Sequence, residues 1–227
     1  MSKKLQKTFL LVFVFILIPL IYLFLQQFGE NQFNLKRYYQ EEVPVMELPC
    51  SKITAPYAVS SSLWIDTDGD EWEFPNQHIN LIMLLDAEKW RVQMNHLNSL
   101  KTAFAGKADI ETLVMVEAAD SVAQKAWAKR VKIFQEQIPD WGLYADAGFM
   151  IEQYFDCTLL KAYSNPEWED VVPDLPATQV AVLLDRENNI RGYYNLTLTT
   201  EYDRLVMEIG VMLLEYKQAN NGSKSAS

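Results

Sequence analysis

Residues 8–29 carry no charge, and 9–25 are apolar apart from Pro19 and Tyr22. Seventeen helical residues at about 1.5 Å each reach roughly 26 Å, and the uncharged flanks extend this to a full bilayer crossing. A cleavable signal peptide would want a shorter apolar core followed by a small-x-small site. Here the run leads into Leu25-Gln26-Gln27-Phe28-Gly29-Glu30, which has no such pair, so retention as an uncleaved anchor is expected. Pro19 is tolerable within a span, since neighbouring groups accommodate a modest kink. No cysteine follows the run closely, so a lipid anchor has no acceptor. Lys3, Lys4 and Lys7 should stay cytoplasmic, which places the chain from residue 30 onward across the membrane. The expected organisation is a cytoplasmic N-terminus (1–7), a transmembrane anchor (8–28), a stalk (29–62), one α/β domain (63–217) and a disordered tail (218–227).

Charge sharpens that division. Three of the 20 basic side chains and none of the 30 acidic ones fall in residues 1–29, which leaves 17 against 30, a net of −13, for the remainder. A nucleic-acid binder needs clustered Lys and Arg to replace phosphate counterions, so no nucleic-acid partner is expected. The chain holds two cysteines, Cys50 and Cys157, and two histidines, His78 and His96. A four-ligand zinc site would consume all of them at spacings unlike any zinc motif. No nucleophile elbow is present either, so a hydrolase has no starting point.

The stalk is punctuated by Pro44, Pro49 and Pro56 and closed by Ser60-Ser61-Ser62. Leu63-Trp64-Ile65 and Glu71-Trp72-Glu73-Phe74 flank an acidic Gly-containing turn and read as a hairpin. That turn resembles a calcium loop only superficially, since the sixth and twelfth positions from Asp66 are Glu71 and Gln77. Residues 79–85 are a strand. Trp90, Met94, Leu97, Leu100 and Phe104 follow at helical spacing. A second strand covers 113–116, then a helix capped by Asp120 or Ser121 with Trp127 on its stripe. A short element near 141–144, a helix-like stretch over 147–155 and a proline-broken excursion over 164–176 come next. A strand (180–184), a turn at Glu187-Asn188-Asn189 and a partner strand (190–194) lead to the last helix. Its apolar face includes Tyr202, Leu205, Ile209 and Met212, with Thr200 and Asp203 as a capping box. A β-α-β unit followed by a β-β-α unit around a mixed sheet predicts a thioredoxin-like fold.

The segment Val182-Leu183-Leu184-Asp185-Arg186-Glu187-Asn188-Asn189-Ile190-Arg191-Gly192-Tyr193-Tyr194, with Asp203-Arg204-Leu205 in the helix after it, resembles the late hairpin of the Sco/SenC family, most nearly its bacterial branch. The resemblance is specific over 180–216 and loose over the rest of 63–217. It implies a Sco-type thioredoxin-like mixed sheet flanked by helices behind one N-terminal transmembrane helix. It also implies a single-pass, N-in location at the bacterial inner membrane, with the domain in the periplasm. The family handles copper during cytochrome c oxidase assembly, through two cysteines three residues apart after the first central strand and a histidine before the penultimate strand. Matching residues 82–85 to that strand and Met94 to the family's methionine puts those positions at Ala87, Arg91 and Ala177. None is a ligand. Copper(I) wants soft thiolates and an imidazole, and thiol exchange needs sulfur on both sides. The resemblance therefore implies the fold and the place of a pseudo-active site, with no catalytic residue, metal or cofactor.

What remains is a choice. Cys50 and Cys157 pair in a structural disulfide, or Cys157 is an ordinary buried residue. Met94 and His96 stand two apart on a helix and point in different directions, which disfavours a shared metal site. Trp90, inside the former active loop, is either packed or a partner-binding anchor. One functional expectation is a non-enzymatic, anchored protein-binding or accessory factor in respiratory complex assembly. The alternative is copper or thiol chemistry through non-standard residues such as Cys157, Met94 or His96. The sequon at Asn195-Leu196-Thr197 means little in a bacterium.

Overall fold

The computed structural model describes residues 17, 35–41, 50, 54–65, 71–86, 88–107, 110–117, 120–135, 141–146, 151, 153–160 and 177–225. Two compact units divide the chain, Met1–Asn34 and Leu35–Ser227. Of the first, only the helical, half-exposed Leu17 is described. The expected anchor at 8–28 otherwise lies outside the described residues, among which no helix is long and apolar enough to cross a membrane.

Every residue of Ile79–Leu84 is buried. A run of that length, apolar but for Asn80, suits a strand covered on both faces, and β3 is the centre of the main sheet. A small hairpin, β1 (Ser62–Ile65) against β2 (Glu71–Phe74), precedes it. After β3 come α1 (Trp90–Phe104), β4 (Ile110–Glu117), α2 (Ser121–Gln135) and β5 (Trp141–Asp146). A π-turn (Tyr154–Thr158), a 3-10 turn (Ala177–Gln179), β6 (Ala181–Leu184), β7 (Ile190–Tyr194) and α3 (Thr199–Ser225) complete the chain. The sheet order is β5-β4-β3-β6-β7. β3, β4 and β5 run parallel, while β6 and β7 are antiparallel additions. This is the thioredoxin-like order that the β-α-β and β-β-α pattern predicts.

Strand alternation sends Leu81, Met83, Val114 and Leu183 to one face, where they meet Met94, Leu97 and Leu100 of α1, Trp127 of α2, and Leu205 and Ile209 of α3. The opposite face presents Ile82, Leu84, Leu113, Val182 and Tyr193 to Tyr38, Tyr39, Val59, Ile151, Phe155 and Leu159. The second set corrects the expected stalk. Tyr39 and Val59 are 1% and 2% exposed, so the folded unit begins at Leu35 and not at Leu63. Prolines break local periodicity without preventing long-range pairing, and Tyr38 N donates to Ile190 O while Val59 N donates to Asn188 O.

Three other expectations change. The element near 141–144 is an edge strand in register with β4. The stretch expected to be helix-like over 147–155 contributes helical Ile151 and then widens into the π-turn. α3 continues to Ser225, so the expected disorder after Lys217 does not hold there. No proline interrupts it, and each added residue extends a helix at the cost of one residue's freedom for one hydrogen bond. Its entry differs from the Thr200 box. Tyr202 N donates to Leu198 O, and the preceding turn is held by Asn195, whose Oδ1 accepts from Thr197 N at 2.9 Å. Asp120 is the residue that caps α2, with Oδ1 accepting from Val122 N and Ala123 N. The acidic turn at 66–70 and the excursion at 164–176 lie outside the described residues.

A helical segment leaves its last carbonyls without intrahelical partners. At the end of the π-turn and just after it three successive carbonyls are met by tyrosines instead. Tyr57 Oη donates to Thr158 O at 2.7 Å, Tyr193 Oη to Leu159 O at 2.7 Å and Tyr39 Oη to Leu160 O at 3.2 Å. Burial pushes Tyr38 and Tyr57 up to about 12 and raises Tyr39 and Tyr193. The unfolded chain ionises its tyrosines near pH 10, so above that value it binds fewer protons than the folded chain. Stability should hold below about pH 10 and fall as the pH rises toward 12. Tyrosinate absorbance is expected to rise together with loss of the far-ultraviolet dichroism. Full tyrosine titration around pH 10 with the fold intact would contradict this.

Candidate functional site

The C-terminal end of β3, the first turn of α1 and the 3-10 turn before β6 converge at one place, where the sequence locates the pseudo-active site. Ala87 lies outside the described residues. On either side of it the chain makes a capped turn: Asp86 Oδ1 accepts from Glu88 N at 2.8 Å and Lys89 N at 2.9 Å, and Trp90 N donates to Asp86 O. Glu88, Lys89 and Arg91 are exposed. Ala177 is half-buried against the core on the side of Leu84 and Val182.

Gln93 joins the three segments. It is 1% exposed. Its Nε2 donates to Leu84 O at 3.2 Å and Thr178 O at 3.0 Å, and its Oε1 accepts from Asp86 N at 2.9 Å. One amide thus satisfies the buried carbonyl of Leu84 and two half-buried backbone groups; a buried group left without a partner costs about 1–3 kcal/mol. Sequence reasoning passed over Gln93. Its signal is a single polar residue within the buried stripe that also includes Trp90, Met94 and Leu97.

Of the two readings of Trp90, as a packed residue or a partner-binding anchor, the geometry has the ring packed: it is 8% exposed and meets Trp127 edge-on, with centroids 6.3 Å apart and planes at 82°. Each ring carries a cation. The guanidinium of Arg91 sits 5.3 Å from the Trp90 ring centre, and that of Arg130 sits 5.1 Å from Trp127. Such stacking is worth about 0.5–1 kcal/mol at exposed sites and holds the planar fork in place.

The residues considered for alternative chemistry are dispersed. Met94 is fully buried under the sheet. His96 points away from it, stacked on Tyr202 at 4.7 Å and 13°, with Nδ1 2.9 Å from Leu196 O. A carbonyl can only accept, so Nδ1 is the protonated nitrogen there. Cys50 and Cys157 are joined in a disulfide, with Cα atoms 5.2 Å apart. Cys157 belongs to the π-turn whose Phe155 packs on the sheet face opposite α1. Among the described residues, no group of three or more His, Cys, Asp or Glu gathers into a metal-holding cluster.

The Asp185–Tyr194 stretch has a structural explanation. Asp185 Oδ1 accepts from Glu187 N and Asn189 N, closing the β6–β7 turn. Its Oδ2 takes Arg191 Nη1 at 3.1 Å, and both side chains are fully buried. Arg191 Nη2 donates to Glu215 of α3 at 2.8 Å and to Leu35 O at 3.0 Å, and Leu35 N donates back to Glu215. One guanidinium therefore ties the N-terminal segment, the hairpin and the last helix together. Gly192 is required by the ring of Tyr194, which folds over it: a Cβ there would lie 2.3 Å from Tyr194 Oη.

No protein-family model matches the chain, and no curated protein does. Solved structures are similar. A SCO1/SenC family lipoprotein from Bacillus anthracis str. Ames superposes with a TM-score of 0.51 at 10% identity, over 69% of this chain and 95% of that one. Looser likenesses are BsSco, a member of the Sco family of cytochrome c oxidase assembly proteins (TM-score 0.48, 16% identity, 70% and 94%), and a thiol:disulfide interchange protein DsbE from Chlorobium tepidum (0.46, 12%, 69% and 95%). At 10% identity the first likeness establishes a Sco-like, thioredoxin-type fold and nothing about chemistry.

Proposed function

We propose that this chain is a membrane-anchored, extracytoplasmic Sco-like domain that acts by binding another protein, as an accessory factor in the assembly of a respiratory complex such as cytochrome oxidase. The observation that carries the reading is Gln93. At the convergence of β3, α1 and the turn before β6, beside the positions that the resemblance assigns to ligands, a buried amide is committed to three backbone hydrogen bonds. Arg91 and Ala177 offer no soft donor, and both cysteines of the chain are joined to each other under the other sheet face. Copper or thiol chemistry at Arg91 and Ala177 therefore has no thiolate or imidazole to use. The anchor belongs to the proposal through the uncharged run at 8–28 and the lysines before it.

The test is crosslinking of the full chain in native membranes, followed by identification of what it touches. Recovery of a subunit or assembly factor of a respiratory complex is the expected result. Recovery of none, at a crosslinking yield that captures other membrane neighbours, would overturn the reading. As an independent measure, copper(I) titrated against a strong chelator should give no stoichiometric retention, and Cys157→Ser should leave that result unchanged.

A further inference from the structure

Charge on the described domain is segregated by element. From residue 89 to 108, which spans α1 and the turn after it, there is no acidic residue, and the segment holds Lys89, Arg91, Lys101 and Lys107. α2 also has no acidic residue and holds Lys125, Lys129, Arg130 and Lys132. The two helices with the residues flanking α1 supply eight of the 17 basic residues after residue 29, so the rest of that chain has nine against 30 acidic ones, a net of −21. Both helices cover the same sheet face and meet through Trp90 and Trp127. Lys89, Arg91, Lys125, Lys129 and Arg130 are exposed on them.

We propose that the outer surface of α1 and α2 is a docking site for an acidic protein surface, with Arg91 and Arg130, each braced on an indole ring, as its carboxylate-binding forks. The inference rests on the protein-binding reading above and names the chemistry of the partner. The position that would hold a thiol in a Sco site is one of the two forks. Guanidinium pairs carboxylate in a planar, bidentate way, and stacking on Trp90 and Trp127 holds the plane before the partner arrives. Uniform positive sign across two helices on a negative body also orients an approaching anion and rejects cationic competitors.

An anionic bilayer is the less favoured occupant. A helix that lies in a membrane surface presents Trp, Phe or Leu to the lipid. Here Trp90 and Trp127 are sealed, and among the described side chains of these two helices the large apolar ones exposed are Val92 and Val122, at 42% and 73%. The strongly acidic remainder of the domain would also be repelled by anionic headgroups within a Debye length.

The experiment uses the full chain reconstituted in phosphatidylcholine nanodiscs and a fluorescent Asp/Glu-rich peptide as probe. Binding is expected, weakening with added salt, and falling about tenfold in Arg91→Glu/Arg130→Glu. Lys125→Glu/Lys129→Glu, which touches neither indole, should give a loss of the same order if the first variant fails to fold. Lys217→Glu, exposed on α3, should stay within about twofold. No binding of the peptide, or equal losses in the Lys217 variant, would overturn the proposal. So would a change in tryptophan emission on adding phosphatidylglycerol vesicles that outcompete the peptide, which would assign the face to lipid. A photocrosslinker at Val122 in native membranes separates the two proposals. If the wild type and the Lys125→Glu/Lys129→Glu variant capture a respiratory component equally, the docking site falls and the function stands. Peptide binding without any respiratory component leaves the docking site and removes the function.

Discussion

Asp185→Ala is expected to lower the unfolding free energy by about 3–5 kcal/mol, because it removes the fully buried counter-charge of the Arg191 guanidinium together with the acceptor that closes the hairpin turn. Arg191 and Asp185 side chains are both fully buried, and their 3.1 Å contact sits under the hairpin turn. Glu215 would remain as a partner, but it is partly exposed, so water screens the attraction that is left. The aspartate also holds the turn itself by accepting from Glu187 N, Asn189 N and Asn189 Nδ2, and these donors lose their acceptor with it. Asp185→Asn, which keeps an oxygen for the turn and loses the charge, should fall between alanine and the wild type. Denaturant unfolding of the four corners of a cycle with Arg191→Met gives the coupling directly. The double variant should be more stable than the sum of the single losses by at least about 1 kcal/mol. A loss below about 1 kcal/mol for Asp185→Ala, with unchanged slope, would show that the pair is not an energetic centre of the fold.

The same pair shows where sequence reasoning reaches and where it stops. The apolar run at 79–84, the helical stripe from Trp90 to Phe104 and the late hairpin were legible because each is specified by neighbours within a few residues. β5 was only half legible: Trp141-Gly142-Leu143-Tyr144 has strand residues, but pairing with β4 decides the matter, and that partner is more than twenty residues away. The segment containing Tyr38, Tyr39 and Val59 was illegible as core, since its prolines suppress periodicity and its contacts are with 155–160 and 190–193. At the site, the absence of ligands at Arg91 and Ala177 was readable from residue identity alone. What occupies the place was not. Gln93 acts through three backbone groups lying up to 85 residues away from it, and no spacing rule announces such a convergence. Arg91 likewise reads as a solvated charge until Trp90 is placed beneath it.

Replacing both cysteines, Cys50→Ser with Cys157→Ser, is expected to destabilise the chain by about 2–5 kcal/mol, a fall of roughly 5–15 °C in Tm for a domain of this size. The bond spans 107 residues, so breaking it restores a large closed loop's worth of freedom to the unfolded chain. In the folded state the effect should be local at first. Residues 54–60 are held to the rest by Tyr57 Oη on Thr158 O, Tyr57 N on Tyr39 O and Val59 N on Asn188 O. Those hydrogen bonds survive the substitution, but without the covalent tie at Cys157 the segment opens at lower free energy than the sheet beneath it. Amide exchange should therefore quicken at Tyr57 and Val59 by more than it does in β3, and the two should converge only near the global transition. The fork separates two roles for the disulfide. Faster exchange confined to 54–60 marks it as the clasp of the N-terminal segment. Equal acceleration in β3, where Ile79–Leu84 is buried on both faces, means the segment and the sheet unfold as one unit and the bond acts on the whole domain through its unfolded state. A shift in Tm below about 1 °C would exclude both, leaving the tyrosine–carbonyl contacts as what binds the segment.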